Sequence, residues 1–133
     1  MRIVIDVSAV VAVILNEPTR AEIIEATKGV EIISPTSLPW EVGNALSANL
    51  KRNRLTLDQA LKACQSYHQI KVRLVDVNLE QALRLSKELN IYAYDAYVLC
   101  CAADHNAPLL CLDALMCRWA KAYGIEIIEV EHG

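Results

Sequence analysis

The segment Arg2-Ile3-Val4-Ile5-Asp6 does most to decide the fold, because it places a carboxylate directly after a short apolar run. Its apolar residues do not alternate with polar ones, which is typical of a strand buried on both faces of a sheet. The segment Leu109-Leu110-Cys111-Leu112-Asp113 has the same form near the other end of the chain. We therefore expect Asp6 and Asp113 to project from the carboxyl edge of a parallel sheet, where such sheets bind ligands.

Short strands and helices alternate between these two segments, which predicts a parallel sheet covered by helices on both faces. Apolar spacing, Gly and Pro positions, and a capping box at Thr56 and Gln59 set the helix limits. The predicted helices are 7–16, 19–28, 37–53, 56–69, 79–89, 94–105 and 115–123, and the predicted strands are 2–5, 30–33, 72–77, 108–112 and 125–130.

The composition predicts one compact globular domain over residues 1–133, since 54% of the residues are hydrophobic and 22% are charged. The net charge of −3 argues against a domain that binds nucleic acid mainly through positive charge. It does not argue against an enzyme whose metal ions face a nucleic acid. The uncharged stretch 7–16 is too short to cross a membrane and no signal peptide is visible, so we expect a cytoplasmic protein without membrane attachment.

The five cysteines are an odd number and form no C-x-x-C pair. This pattern is typical neither of a disulfide scaffold nor of a zinc ribbon. Cys100, Cys101 and Cys111 lie within apolar runs, and we expect them to be small buried hydrophobic residues without disulfide bonds.

Two further carboxylates lie near the starts of predicted helices in apolar surroundings: Glu41, beside Trp40 and Val42, and Asp95, beside Tyr94. We expect them to converge on one cleft with the two acids that follow strands. Their mutual repulsion would be relieved there by a divalent cation such as Mg²⁺. The alternative for the acids after strands is a structural helix N-cap. For Glu41 it is a solvated helix position, which its apolar neighbours disfavour.

Four segments, in this order, resemble the PIN domain family, and especially the toxin ribonucleases of VapBC toxin–antitoxin pairs. The similarity covers essentially the whole chain. The matching segments are 5–18 with its Asp-Val-Ser opening, Glu41-Val42-Gly43-Asn44-Ala45-Leu46, Tyr94-Asp95-Ala96 and Leu110-Cys111-Leu112-Asp113.

This resemblance implies a three-layer α/β/α sandwich around a mostly parallel sheet of about five strands. It also implies cleavage of RNA that depends on Mg²⁺ or Mn²⁺, a homodimer, and an antitoxin protein as a partner. The positions that match the family's metal-binding acids are Asp6, Glu41, Asp95 and Asp113, with Ser8 and Asn44 as supporting residues. The alternative role for Ser8 is that of a helix N-cap.

One residue departs from the family pattern, because Cys111 stands where members commonly carry a hydroxyl residue before the fourth acid. Cysteine is a weak hydrogen-bonding partner, so we expect weaker support of Asp113. This departure leaves open the alternative of a PIN-like module that binds RNA or protein without cutting. Under the nuclease hypothesis, a water activated by metal attacks the phosphodiester, and no histidine is needed as a base.

The histidines and the basic residues carry weaker signals. His68, His105 and His132 lack the spacing of metal ligands, so we expect surface or packing roles. Four cations are candidates either for binding RNA phosphates or for ordinary helix ends and solvated faces. They are Lys51, Arg52, Arg54 and Arg118.

Overall fold

The structure is a computed structural model that describes residues 1–130, so His132 lies outside the described residues. No helix in this part of the chain has the length and apolar character needed to cross a bilayer. In chain order the elements are β1 (Arg2–Ile5), α1 (Val7–Ile14), α2 (Arg20–Ala26), β2 (Glu31–Pro35), α3 (Leu38–Lys51), α4 (Leu57–Gln69), β3 (Arg73–Val75), α5 (Leu79–Leu89), α6 (Ala93–Asp104), β4 (Leu109–Cys111), α7 (Ala114–Ala122) and β5 (Ile127–Glu129).

The strands form one five-stranded sheet in the order β3-β2-β1-β4-β5, and every neighbouring pair is parallel. The chain first extends the sheet on one side of β1 and then on the other, so the strand order reverses between β1 and β4. Val4 pairs with Leu109 and Ile5 with Leu110, so the residues that follow these strands leave the sheet beside each other. The predicted parallel sheet is confirmed, and this reversal is where open α/β sheets bind ligands.

Apolar side chains cover both faces of the sheet. Val4 and Leu109 lie in one core with residues of α5, α6 and α7. Ile3, Ile5 and Leu110 lie in a second core with residues of α1, α2, α3 and α4. Successive residues of a strand face opposite sides, which explains why β1 is apolar without alternation. The two cores make the three-layer α/β/α sandwich that was expected.

The edge strands are shorter than predicted. The predicted strands 72–77 and 125–130 are reduced to Arg73–Val75 and Ile127–Glu129. Because β3 and β5 each pair with one neighbouring strand, their lengths are set by the three residue pairs of that single ladder. The capping box at Thr56 and Gln59 is present as predicted, with both reciprocal hydrogen bonds formed.

The expectation that Cys111 has no disulfide bond is wrong. Cys111, at the end of β4, is bonded to Cys117 in α7, and their Cα atoms lie 5.8 Å apart. The physical reason is the tight strand-to-helix turn, which returns α7 to the end of the strand. Cys100 and Cys101 are buried and free, as predicted. Burial raises the pKa of their thiols to about 11 and about 12, so both remain unreactive hydrophobic residues.

Candidate active site

Asp6 and Asp113 follow the adjacent strands β1 and β4, and each also caps the helix that comes next. The Asp6 carboxylate accepts a hydrogen bond from the Ala9 N–H at 3.4 Å. The Asp113 carboxylate accepts one from the Leu115 N–H at 2.8 Å. Both acids are therefore helix N-caps, which was the structural alternative considered for them. Capping occupies one oxygen of each carboxylate and fixes the group at the carboxyl edge of the sheet.

Asp6 is the most buried of the four acids, with 7% of its surface exposed. Ser8 Oγ donates to Asp6 Oδ1 at 2.7 Å, and the capping bond from Ala9 reaches the same oxygen. Oδ2 is thereby left available. Burial raises the pKa of Asp6, the Ser8 and Ala9 hydrogen bonds oppose this rise, and the charge of Asp113 adds to it. The N-cap of α1 is Asp6, so the alternative role for Ser8 is wrong, and Ser8 instead orients the carboxylate.

The Asp113 carboxylate is held by backbone and not by the side chain of residue 111. Its support is the Leu115 N–H, which the start of α7 would supply whatever residue preceded the acid. Cys111 takes part in the disulfide that spans Asp113 from the strand to the first turns of α7. Cys111 gives the Asp113 carboxylate no hydrogen bond, so the expectation that this cysteine weakens the support of Asp113 stays a prediction.

Glu41 lies in the first turn of α3, and its Oε2 accepts a hydrogen bond from Ser37 Oγ at 3.0 Å. Burial raises its pKa to about 7, opposed by the Ser37 bond and increased by the charges of Asp6 and Asp95. Sequence reasoning missed Ser37. The signal was available, since a serine four residues before a helical glutamate lies one turn away on the same face.

Asp95 lies in the first turn of α6 and is half-buried. Burial raises its pKa, and the negative charge of Asp113 raises it further. Within residues 1–130 its carboxylate accepts no hydrogen bond, in contrast to those of Asp6, Glu41 and Asp113.

Pairwise charge interactions link the four predicted acids. The interacting pairs are Asp6 with Asp113, Glu41 with Asp6, Glu41 with Asp95, and Asp95 with Asp113. Such an anionic, all-oxygen set of donors fits a hard cation such as Mg²⁺ or Mn²⁺. In residues 1–130 no three acidic, His or Cys side chains are close enough to form a ready-made metal site. Mg²⁺ usually retains several of its waters, so not all of its ligands need to be protein side chains.

An open depression of about 470 Å³ is lined by Ser8, Leu112 and Asp113, so Asp113 is the one of the four predicted acids that borders it. Glu17 and Thr19, which precede α2, line it as well. Glu17 is a fifth carboxylate that the sequence reasoning did not consider. No local pattern marks it, because it reaches this place through the return of the chain between α1 and α2.

Within residues 1–130, neither Asn44 nor the predicted cations form a hydrogen bond or an ion pair with the four acids. Asn44 is exposed on α3, three residues after Glu41, and no hydrogen bond within the described chain holds its side chain. Lys51 is ten residues beyond Glu41, or about 15 Å along the helix. Arg118 lines a second depression with Leu112 and the disulfide, and it is the predicted cation nearest in sequence to one of the acids, five residues after Asp113.

The two described histidines take no part in the site. His68 is exposed near the end of α4. His105, at the opposite end of α6 from Asp95, has its Nδ1 2.9 Å from the Cys101 carbonyl oxygen. These positions agree with the predicted surface and packing roles.

Three aromatic residues beside the acids are exposed, contrary to the apolar surroundings inferred from the sequence. Trp40 is 75% exposed and Tyr94 is 54% exposed, although Glu41 and Asp95 next to them are half-buried. Tyr92, which precedes α6, is 85% exposed. Neighbouring residues of a helix point about 100° apart, so an apolar neighbour does not imply a shared environment. Sequence reasoning therefore missed these aromatic residues as surface features.

The fold and the acids together define a class of protein: a parallel α/β/α domain with carboxylates after the two strands between which the strand order reverses. The PIN domain family model matches residues 3–128, and the chain belongs to the PIN domain family. PIN domains are generally nucleases. No curated protein matches the sequence at a significant level.

Three solved structures show the same fold. PAE2754 from Pyrobaculum aerophilum is similar with a TM-score of 0.73 and 20% identity, over 98% of this chain and 84% of that one. VapBC2 from Rickettsia felis, bound to a DNA fragment from their promoter, has a TM-score of 0.68 and 15% identity, over 98% and 100%. A domain of a functionally unknown protein from Methanocaldococcus jannaschii has a TM-score of 0.57 and 25% identity, over 99% and 92%.

Proposed function

We propose that this protein is a metal-dependent endoribonuclease and the toxin of a toxin–antitoxin pair. The observation that carries the proposal is the group of four interacting carboxylates at the carboxyl edge of the sheet. Membership of a family that is generally nucleolytic supports the reaction class. A cytoplasmic location would follow from an RNA substrate.

Asp6, Glu41, Asp95 and Asp113 would hold one or two Mg²⁺ or Mn²⁺ ions. When bound, such an ion supplies Lewis acidity toward a phosphodiester and a water of lowered pKa. The oxygens left available by capping and by the Ser8 and Ser37 bonds are the donors for this role.

The side chains around the acids prepare them for this task. Ser8 and Ser37 each fix one carboxylate oxygen, which leaves the rotamers of Asp6 and Glu41 little freedom. Glu41, with a pKa of about 7, is only partly ionised near neutral pH until a cation lowers that pKa. Asn44, when turned toward Glu41, would contribute a neutral donor at the edge of the site.

An antitoxin protein and a second copy of the chain are the proposed partners. Similarity to a VapBC2 complex supports the first proposal. Exposed leucine pairs one helical turn apart, Leu57 with Leu61 on α4 and Leu79 with Leu83 on α5, offer apolar surface for either. Light scattering of the purified chain tests the dimer directly.

The test of the nuclease proposal is an RNA cleavage assay with Mg²⁺, with Mn²⁺ and with EDTA. The variant is Asp95→Asn, and the matched control is Asp104→Asn at the other end of the same helix. Both remove one negative charge from α6, but Asp104 lies away from the acids and accepts only a hydrogen bond from Gln81. Cleavage that requires metal, persists in Asp104→Asn and is lost in Asp95→Asn would support the proposal.

The alternative is a PIN-like module that binds RNA or a protein without cutting. Its result would be an RNA shift in a gel without cleavage under any metal condition. Cleavage that continues in EDTA at the rate seen with Mg²⁺ would also overturn the metal-dependent mechanism.

A further inference from the structure

The disulfide between Cys111 and Cys117 encloses Asp113. Cys111 is the last residue of β4, and Cys117 lies near the start of α7, whose N-cap is Asp113. The backbone carbonyl of Asp113 accepts the Cys117 N–H at 2.9 Å and lies 3.3 Å from Cys111 Sγ. The cross-link therefore joins strand and helix at the point from which this carboxylate leaves the sheet.

The noncovalent contacts of the Asp113 side chain do not fix it to the sheet. The side chain is exposed, and its hydrogen bond comes from the Leu115 N–H in the same helix turn. That bond moves with the start of α7. Met116 and Ala120 are buried in the core and anchor the rest of the helix. Opening the disulfide should therefore loosen the first turn of α7 and leave the fold in place.

A surface depression gives small molecules access to the disulfide. It has a volume of about 350 Å³, and both cysteines line it. Cys111 is buried with 3% of its surface exposed, whereas Cys117 is only half-buried. Arg118 and Lys121 lie on the same wall, and Lys121 is paired with Glu129 at 3.5 Å. The positive charge favours an anionic thiol, and Cys117 is the residue that it reaches more easily.

The loop that this disulfide closes is short, so its contribution to stability is small. The two cysteines are six residues apart in sequence, and cross-links of short loops restrict the unfolded chain least. Disulfides inside cells are usually transient, catalytic or redox-sensing. A cytoplasmic location is part of the proposed function. The position beside Asp113 is therefore a better account of this disulfide than general stabilisation.

We propose that Cys111 and Cys117 form a thiol–disulfide exchange site that controls metal binding through the position of Asp113. The oxidised state holds the carboxylate where it contributes to the metal site, and reduction by a small anionic thiol weakens metal binding. This inference rests on the proposed metal-dependent function and assigns a regulation to the same site.

The exchange is balanced in atoms and electrons. The thiolate of a small thiol attacks Cys117 Sγ, the S–S bond breaks, and Cys111 leaves as a thiolate that takes up a proton. A second small thiolate attacks the mixed disulfide and releases Cys117, which is protonated in turn. Two small thiols are thus oxidised to one disulfide, and the protein disulfide gains two electrons. A small disulfide reverses the reaction.

The test compares the Mn²⁺ affinities of the oxidised and reduced wild type by calorimetry. The reductant is removed under nitrogen by gel filtration before the titration. Reduction is expected to weaken Mn²⁺ binding about 5-fold or more. Cys117→Ser should bind like the reduced wild type with or without reductant. Cys64→Ser, at the half-buried free cysteine of α4, is the control and should respond to reduction as the wild type does.

A second variant separates an effect through Asp113 from a general loosening of the fold. In Asp113→Asn the cap of α7 is kept, because asparagine caps a helix as well as aspartate does. Reduction of this variant should not weaken Mn²⁺ binding further, since the group on which the disulfide acts is gone. A merely structural cross-link would lower the unfolding temperature on reduction without this dependence on residue 113.

The reciprocal measurement needs no catalytic activity. If the disulfide strengthens metal binding, bound metal must stabilise the disulfide by the same factor. The protein is equilibrated in mixtures of reduced and oxidised dithiothreitol, with and without saturating Mg²⁺, a hard cation that thiols bind poorly. Alkylation then reports the reduced fraction. The ratio of reduced to oxidised dithiothreitol at half reduction should rise about 5-fold or more with Mg²⁺.

Equal Mn²⁺ affinities of the oxidised and reduced wild type would overturn the proposal, as would an equal effect of reduction in Asp113→Asn. Either result would leave the disulfide as a structural cross-link only. Absence of metal binding in both redox states would overturn this proposal and the metal site together. Failure of the nuclease proposal is a separate result, since RNA would stay intact while Mn²⁺ affinity still depended on the redox state.

Discussion

Replacing Glu41 by glutamine is expected to stabilise the metal-free protein while removing the proposed metal-dependent activity. Burial and the charges of Asp6 and Asp95 raise the pKa of Glu41 from 4.5 to about 7. A carboxyl group with a raised pKa stabilises the fold while it is protonated. That contribution is complete below about pH 4.5 and is lost as the pH rises through about 7.

The magnitude follows from the size of this change. A rise from 4.5 to about 7 means that ionising Glu41 lowers the free energy of unfolding by at most about 3 kcal/mol. Because Glu41 is only partly buried, solvent screening reduces this to about 1 to 2 kcal/mol. Glutamine carries no charge at any pH and can still accept the Ser37 hydrogen bond. Near pH 8 the variant should therefore unfold about 4 to 8 °C above the wild type.

The assay is thermal or urea unfolding in EDTA at pH 4.5 and at pH 8. The variant and the wild type should have nearly equal stability at pH 4.5, where Glu41 is protonated, and should differ at pH 8. Glu25→Gln, at an exposed position on α2, is the control and should change stability by less than about 0.5 kcal/mol at both pH values. Addition of Mg²⁺ should stabilise the wild type and not Glu41→Gln.

A Glu41→Gln protein that is no more stable than the wild type at pH 8 would refute the reasoning. So would a stability difference of the same size at both pH values, because it would show that the charge of Glu41 is not the cause.

Three further substitutions test other parts of the account. Ser8→Ala removes the 2.7 Å bond to Asp6 and should lower stability by about 1 kcal/mol and metal affinity about 10-fold or more, as measured by urea unfolding and calorimetry. Cys117→Ser opens a loop of six residues and should cost about 2 kcal/mol, with dithiothreitol producing the same loss in the wild type only. Leu99→Ala creates a cavity at a fully buried position and should cost about 2 to 5 kcal/mol of unfolding free energy, with metal affinity per folded molecule unchanged.

The fold was readable from the sequence because its strongest signals are local. The apolar runs at β1 and β4 end in Asp6 and Asp113, and parallel strands necessarily bring their carboxyl ends to one edge of the sheet. The sequence could not give the ends of β3 and β5. Those ends depend on where the ladder with the neighbouring strand stops, which is a tertiary property.

The acids were identified more readily than the groups that orient them. Glu41 and Asp95 matched family motifs, whereas Ser37 had no motif and Glu17 reaches the neighbouring depression only through the path of the chain. The exposure of Trp40 could not be predicted either. It depends on the direction in which α3 leaves the sheet, and the apolar character of the side chain suggested burial.

The disulfide also lay beyond sequence reasoning. An odd number of cysteines argued against it, and pairing of Cys111 with Cys117 requires the strand-to-helix turn to place the two Cα atoms 5.8 Å apart. Spacing in the sequence alone cannot establish that distance.

The most direct test of the central claim is calorimetric titration of the metal-free protein with Mn²⁺ at pH 7.5. The wild type and Asp104→Asn should bind the ion alike, and Asp6→Asn, Glu41→Gln, Asp95→Asn and Asp113→Asn should each weaken binding about 10-fold or more. That result would establish that the four carboxylates act as one metal site. Unchanged binding in all four variants, or no binding by the folded wild type, would contradict it.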